Sequence, residues 1–165
     1  MSGAPERAAY IGLGSNLDDP EHHVRTALDD LSRMPATRAG RRSRLFRTPP
    51  WGGVSQPPFV NAAAEVWTAL EPRPLLDALL AIERRHGRVR NATRWGPRTL
   101  DLDILAFGEC VVDDADLHIP HPRLAERAFV LLPLADIDEN LHVAGVGRVG
   151  DLLGRVDTSS CVPID

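Results

Sequence analysis

The stretch Thr99-Leu100-Asp101-Leu102-Asp103-Ile104-Leu105-Ala106-Phe107 constrains this chain more than any other. Apolar and acidic residues alternate with a period of two, the period of a β-strand, whose successive side chains point to opposite faces. Leu100, Leu102 and Ile104 then face a core. Asp101 and Asp103 project together from the other side, roughly 6.5–7 Å apart along the strand. Two such carboxylates repel each other unless a cation lies between them, and oxygen ligands from one or two carboxylates are the usual anchorage of Mg²⁺. A solvated polar face would give the same alternation, so the pair does not decide the matter alone.

The preceding segment tips the balance. From Arg84 to Arg98 the chain carries Arg84, Arg85, His86, Arg88, Arg90, Arg94 and Arg98 with no acidic residue, although the net charge of the whole is -4. Guanidinium forks match phosphate oxygens and stay charged at any physiological pH. Cations on one side and a metal-binding carboxylate pair on the other is what phosphoryl transfer requires, because the protein's part is positioning and charge neutralisation. Arg84 and Arg85 are read as partners of surface acids, and Arg88, Arg90 and Arg98 as phosphate ligands.

Around this strand the pattern predicts an α+β fold. Ala8 to Leu13 reads as a first strand. Asp19-Pro20 starts a helix, a capping carboxylate followed by proline at the first helical position, with Val24, Ala27, Leu28 and Leu31 on its apolar face. Ser43 to Arg47 reads as a second strand and Phe59 to Leu70 as a third. Thr48 to Pro58 is too rich in proline and glycine for either element, and Trp51 gives this loop an apolar anchor. Glu71-Pro72 opens a helix burying Leu75, Leu76, Leu79 and Ile82, stopped by Gly87. Val111-Val112 reads as a short edge strand, Leu124 to Leu134 as a helix, and the part from Asn140 onward as peripheral. Strand, helix, strand, strand, helix, strand is the β-α-β-β-α-β order of a ferredoxin-like sandwich, an antiparallel sheet with two helices on one face. One domain spanning 1–165 is expected.

Composition removes several alternatives. All nineteen basic residues are arginine, which excludes a P-loop or a Schiff-base enzyme, since both need a lysine. The acidic balance disfavours a nucleic-acid or membrane binder. Cys110 and Cys161 lack metal-ligand spacing and read as free thiols of a reducing compartment. The N-terminus has no basic start or apolar run of a signal peptide, and no apolar stretch is long enough for a membrane span. The expectation is a cytoplasmic protein.

Arg94-Trp95-Gly96-Pro97-Arg98-Thr99-Leu100-Asp101-Leu102-Asp103-Ile104-Leu105 resembles the signature of the 6-hydroxymethyl-7,8-dihydropterin pyrophosphokinases. The resemblance runs over about residues 8 to 137. It takes in Tyr10-Ile11-Gly12-Leu13-Gly14-Ser15-Asn16-Leu17, Phe46-Arg47-Thr48-Pro49-Pro50, Asn61-Ala62-Ala63, Ile82-Glu83-Arg84 and Gly87-Arg88-Val89-Arg90, then Ile119-Pro120-His121-Pro122 and Arg127 to Leu134. It implies a ferredoxin-like fold and transfer of diphosphate from ATP to 6-hydroxymethyl-7,8-dihydropterin, releasing AMP, in folate biosynthesis.

The resemblance also assigns residues. Asp101 and Asp103 would hold two Mg²⁺ ions. Arg88, Arg90 and Arg98 would hold phosphate oxygens, with Arg88 and Arg98 catalytic beside the two aspartates. His121 would donate to ATP, and Ile104 would touch adenine. The pterin would meet the backbone near Thr48 and Pro50, with Trp51 in the same loop, and the Asn61 side chain. Phe59 and Phe129 would stack on its ring, Trp95 would close over it, and Arg127 would lie near. Glu83, one step off the apolar helical stripe, is read as a structural partner of an arginine.

The chain departs from the family pattern at Asp116-Leu117-His118, where a phosphate-side cation is expected, at Asn91 in place of a lysine, and at Pro122 and Phe59 in place of tyrosines. These departures bear on ATP affinity and loop order. Two rival readings are another two-metal enzyme, such as a nucleotidyltransferase releasing pyrophosphate, and a nucleic-acid-binding ferredoxin-like module. A monomer acting on small molecules, with no nucleic acid and no membrane as partner, is the expected state.

Overall fold

The computed structural model describes residues 5–50, 55–87 and 99–164. β1 (Arg7–Ser15) leads through Asp18 and Asp19, both with positive φ, into α1 (Pro20–Leu31). Asp19 caps this helix, its carboxylate accepting from His22 N–H at 3.5 Å, with Pro20 in the first turn as the sequence predicts. β2 (Thr37–Arg42), β3 (Phe46–Thr48) and β4 (Phe59–Thr68) follow, then α2 (Pro72–Arg85), and β5 (Asp101–Phe107).

These strands form an antiparallel sheet in the order β3-β4-β1-β5, with β2 also paired to β4. That is the ferredoxin-like sandwich expected from the sequence. The predicted second strand at Ser43–Arg47 is displaced. β2 and β3 are two parts of one strand, and Ser43, Arg44 and Leu45 fall in the break between them.

Leu100, Leu102 and Ile104 pack with Ala9, Ile11 and Leu13 of β1 against Val24, Leu28 and Leu31 of α1 and Leu75, Leu79 and Ile82 of α2. Burial of this apolar face is the main stabilising contribution. The opposite face carries more structure than the sequence suggests. A short 3-10 turn (Leu124–Glu126) and α3 (Ala128–Asp138) divide the predicted helix in two, and α3 lays Val130, Leu131 and Leu134 over Tyr10, Ala63 and Leu105. β6 (Val112–Asp113) and β7 (His118–Ile119) form a small hairpin, β8 (His142–Val143) and β9 (Gly147–Arg148) another, followed by α4 (Val149–Leu153). The last strand, β10 (Val162–Pro163), is not peripheral: it adds to the main sheet alongside β3.

Candidate active site

The register of three strands places the site. Gly14 of β1 lies opposite Asn61 of β4 on one side and Asp101 of β5 on the other, and Gly12 lies opposite Ala63 and Asp103. Asp101 and Asp103 thus stand on the sheet face that α3 partly covers, while Leu102 between them points to the α1/α2 core. Gly12 and Gly14 leave the central strand bare on that face. A Cβ at Gly14 would lie 2.7 Å from Asn61 Oδ1, so only glycine admits the asparagine side chain there. Gly14 lies on the floor of the site, while the Leu105 side chain covers Gly12.

The resulting cavity has about 680 Å³ of empty space including its open mouth, and is lined by Gly14, Thr48, Phe59 and Asn61 on one side and by Asp101, Asp103, His121, Arg127 and Phe129 on the other. It therefore gathers residues that the resemblance separates into a pterin set and a metal set. Pro49, rather than Pro50, is the proline at its wall. Asn61 is buried and its Nδ2 donates to Thr48 Oγ1 at 2.6 Å, fixing the amide between β3 and β4. Arg127, just before α3, stacks on Phe129 with 5.4 Å from Cζ to the ring centroid. Burial pushes the Arg127 guanidinium below its ordinary pKa, while Asp103 nearby acts in the other direction.

A second cavity lies on the far side of Asp103. Leu76, Leu80, Leu102, Ile104, Leu117 and Pro122 give it an apolar lining, and Asp116 and His118 stand at it with Asp103 and His121. The backbone of His121 donates to Leu105 O at 3.0 Å, tying the Ile-Pro-His segment, whose Ile119–Pro120 peptide is cis, to β5. Arg123 N–H donates to His121 Nδ1 at 3.1 Å, so the ring proton sits on Nε2. Burial, then the charge of Arg127, lowers the His121 pKa to about 4. At neutral pH it is an uncharged ring with one Nε2–H donor.

Glu83 belongs with these residues, which the sequence reading missed. It is almost fully buried on α2, and its Oε2 accepts from Leu102 N–H at 2.8 Å. It therefore grips the backbone between the two aspartates. A buried acid off the apolar stripe was the available signal, but nothing local identified an amide nineteen residues away as its partner. At the proposed departure from the family pattern, Asp116 pairs with Arg73 at 2.7 Å, and Arg73 also reaches Asp114 at 3.2 Å. Trp51, Arg88, Arg90, Trp95 and Arg98 lie outside the described residues.

A ferredoxin-like sheet with paired carboxylates beside a cavity lined by two phenylalanines fits an enzyme of the phosphotransferase class. The chain belongs to the family described as 7,8-dihydro-6-hydroxymethylpterin-pyrophosphokinase (HPPK), whose profile matches residues 10–139. It is 49% identical to a 2-amino-4-hydroxy-6-hydroxymethyldihydropteridine pyrophosphokinase of Pseudomonas aeruginosa over 144 residues, covering 87% of this chain and 88% of that protein. A Methylorubrum extorquens protein of the same name is 44% identical, with 92% and 94% coverage. Among solved structures, wild-type Plasmodium falciparum HPPK-DHPS with SDX-DHP aligns at TM-score 0.70 and 16% identity, over 94% of this chain. The chain spans 45% of that protein's length, and the likeness carries the fold alone.

Proposed function

We propose that this chain transfers diphosphate from ATP to the hydroxymethyl group of 6-hydroxymethyl-7,8-dihydropterin, releasing AMP, as a step of folate biosynthesis. The observation that carries the assignment of sites is that Asp103 and His121 line both cavities. The slot beside Asn61, Phe59 and Phe129 suits a flat pterin, and the apolar cavity beside Ile104 suits adenine. The two substrates would then meet over the aspartates, as an in-line transfer demands.

Asp101 and Asp103 are half-buried oxygen donors on one strand face, and no third His, Cys, Asp or Glu completes a metal-sized cluster with them among the described residues. Such a donor set suits Mg²⁺, which keeps water and phosphate oxygens in its coordination, more than a structural zinc held by four protein ligands. Two Mg²⁺ ions, when bound, would supply charge neutralisation on the diphosphate. The remaining work falls to the chain. Asn61 orients the pterin, Phe59 and Phe129 exclude water from its faces, and His121 offers Nε2–H to a phosphate oxygen without adding charge. Arg88 and Arg98, with Arg90, would hold phosphate oxygens. The hydroxymethyl oxygen attacks the β-phosphorus, the bond from that phosphorus to the bridging oxygen of AMP breaks, and the alcohol proton leaves to solvent. We place this chemistry in a single-domain monomer in the cytoplasm; no helix among the described residues is long and apolar enough to cross a membrane.

The test is product chromatography after mixing the protein with Mg²⁺-ATP and 6-hydroxymethyl-7,8-dihydropterin. AMP should appear one-for-one with a pterin diphosphate and only when pterin is present. ADP or pyrophosphate instead would reject the reading. Asp103→Ala should lower turnover by at least ~10³, about 4 kcal/mol of barrier, and a folded variant with near-normal turnover would remove Asp103 from the site.

A further inference from the structure

Three side chains form a hydrogen-bonded row between α1 and the end of α2. His86 Nε2 meets Asp30 Oδ2 at 2.9 Å, and His86 Nδ1 meets His23 Nδ1 at 2.8 Å. The His86 side chain is 8% exposed and that of Asp30 17%, so water substitutes poorly for either contact. His86 caps α2, its N–H directed at the carbonyls of Ile82 and Glu83. Glu83 in that last turn holds Leu102 N–H, between Asp101 and Asp103. A continuous path therefore runs from the histidine pair to the acid pair, through described residues only.

The row has a proton count that can be read from its atoms. With Nε2 of His86 donating to the Asp30 carboxylate, the two Nδ1 atoms must share a single proton, because a hydrogen bond needs one donor and one acceptor. Neutral rings satisfy this with His23 as donor. A single added proton also satisfies it, since either ring can be the imidazolium. A second added proton places N–H against N–H, and the 2.8 Å contact cannot survive. Burial first, then the neighbouring His86 and His22, hold the His23 pKa below the ordinary histidine range, so the folded protein resists the last proton.

Among the described residues, the other charged groups on the two helices are mixed. α1 contributes Asp30 with its partner Arg33, Asp18 and Asp19 at its start, and the His22 ring 6.2 Å from that of His23. α2 contributes Arg84 and Arg85 besides the buried Glu83.

We propose that His86, clamped between Asp30 and His23, is a positioning residue for the reaction, and that loss of the shared-proton bond on acidification loosens the turn through which Glu83 holds the strand of Asp101 and Asp103. The inference rests on the reading of those aspartates as the metal-binding pair. It is a pH-sensitive device within the fold, separate from both substrate cavities.

His23→Gln tests it. A side-chain amide can donate to or accept from His86 Nδ1, so the clamp survives in every protonation state of His86. Two measurements are made on wild type and variant. In the first, kcat for AMP formation is followed from pH 8 to 5. ATP titrates identically for both proteins, so the ratio of the profiles is read. Equal kcat within about twofold at pH 8 is expected, with wild type falling roughly tenfold further than His23→Gln by pH 5.

The second measurement uses the free protein. Hydrogen exchange at the Leu102 amide, corrected for its intrinsic pH dependence, should lose roughly tenfold protection in wild type between pH 7 and 5 and less than about twofold in the variant. Identical Leu102 protection in the two proteins overturns the clamp, as do parallel kcat profiles in active proteins. A wild type that makes no AMP but shows the Leu102 difference keeps the clamp and rejects the reaction proposed above.

Discussion

Gly14 carries more of the site than its lack of a side chain suggests. It lies in register between Asn61 and Asp101, and a methyl group there would sit 2.7 Å from Asn61 Oδ1. Asn61 cannot simply swing away, because its Nδ2 is held by Thr48 Oγ1 at 2.6 Å. The φ of Gly14 is not positive, so alanine would meet no backbone strain. The buried clash remains, so Gly14→Ala should lower thermal stability by about 1–3 kcal/mol while the protein still folds. The KM for the pterin should rise roughly tenfold, about 1.4 kcal/mol, with the KM for ATP unchanged. Steady-state kinetics with each substrate varied separately check this, and an unaltered pterin KM would detach Asn61 from pterin recognition. At this scale the sequence was informative where chemistry and period coincide, as at Asp101 and Asp103. It was silent on Glu83, because a carboxylate bound to a distant backbone amide leaves no spacing pattern behind.

The strand that delivers Thr48 to the site is built with two irregularities. Against β4, β2 pairs Ala39 with Val66, then Arg42 with Ala64, and β3 resumes with Phe46 opposite Asn61. Each step takes one more residue on this side than on β4, the signature of a β-bulge, which bends the strand and increases its twist. Gly40 occupies the first, where a Cβ would meet Glu65 O and Oε1 at 2.7 Å. Ser43 occupies the second. Its N–H donates to Ala63 O at 2.9 Å, and its Oγ accepts from Ala63 N–H at 2.8 Å, replacing the carbonyl that a regular ladder would supply.

Ser43→Ala leaves the Ala63 amide without that acceptor and should destabilise the fold by about 1–3 kcal/mol. Urea unfolding measures this, and kcat at 20 °C should stay within about threefold of wild type. A neutral effect on stability would mean that the bulge needs no side-chain oxygen. The bulges also explain the misplaced second strand of the sequence reading. Thr37 to Arg42 is a mostly exposed run of polar and small residues, without the apolar alternation that reveals a half-buried strand. β1, β4 and β5 were legible because their core-facing residues alternate. α3 covers the other face and blurred its own signal by being apolar nearly all round.

For the whole molecule, acid stability follows from where its histidines sit. His121 is enclosed between the sheet and the segment before α3, and burial brings its pKa down to about 4. In the unfolded chain it takes up its proton near pH ~6.5. Between these values the unfolded state holds more protons than the folded one, so stability falls as pH is lowered. The contribution of His121 is complete above the unfolded value and is lost progressively toward pH ~4, a decline of about 2 kcal/mol between pH 7 and 5. His23, lowered by its burial and by His86, acts in the same direction.

The buried carboxylate Glu65 acts lower on the pH scale. Its hydrogen bonds with Arg41 pull its pKa below the ordinary value, against the opposing effect of burial. Its contribution is present above the unfolded carboxylate range and disappears only as pH falls through the lower folded value. Stability measured by urea unfolding should therefore decline from pH 7 to 5, before the carboxylates titrate, and His121→Asn should remove most of that slope whatever it does to absolute stability. Parallel slopes in wild type and variant would show that His121 charges freely in the folded protein. It would then meet the nucleotide as a cation, and the neutral Nε2–H donor assigned to it would have to be given up.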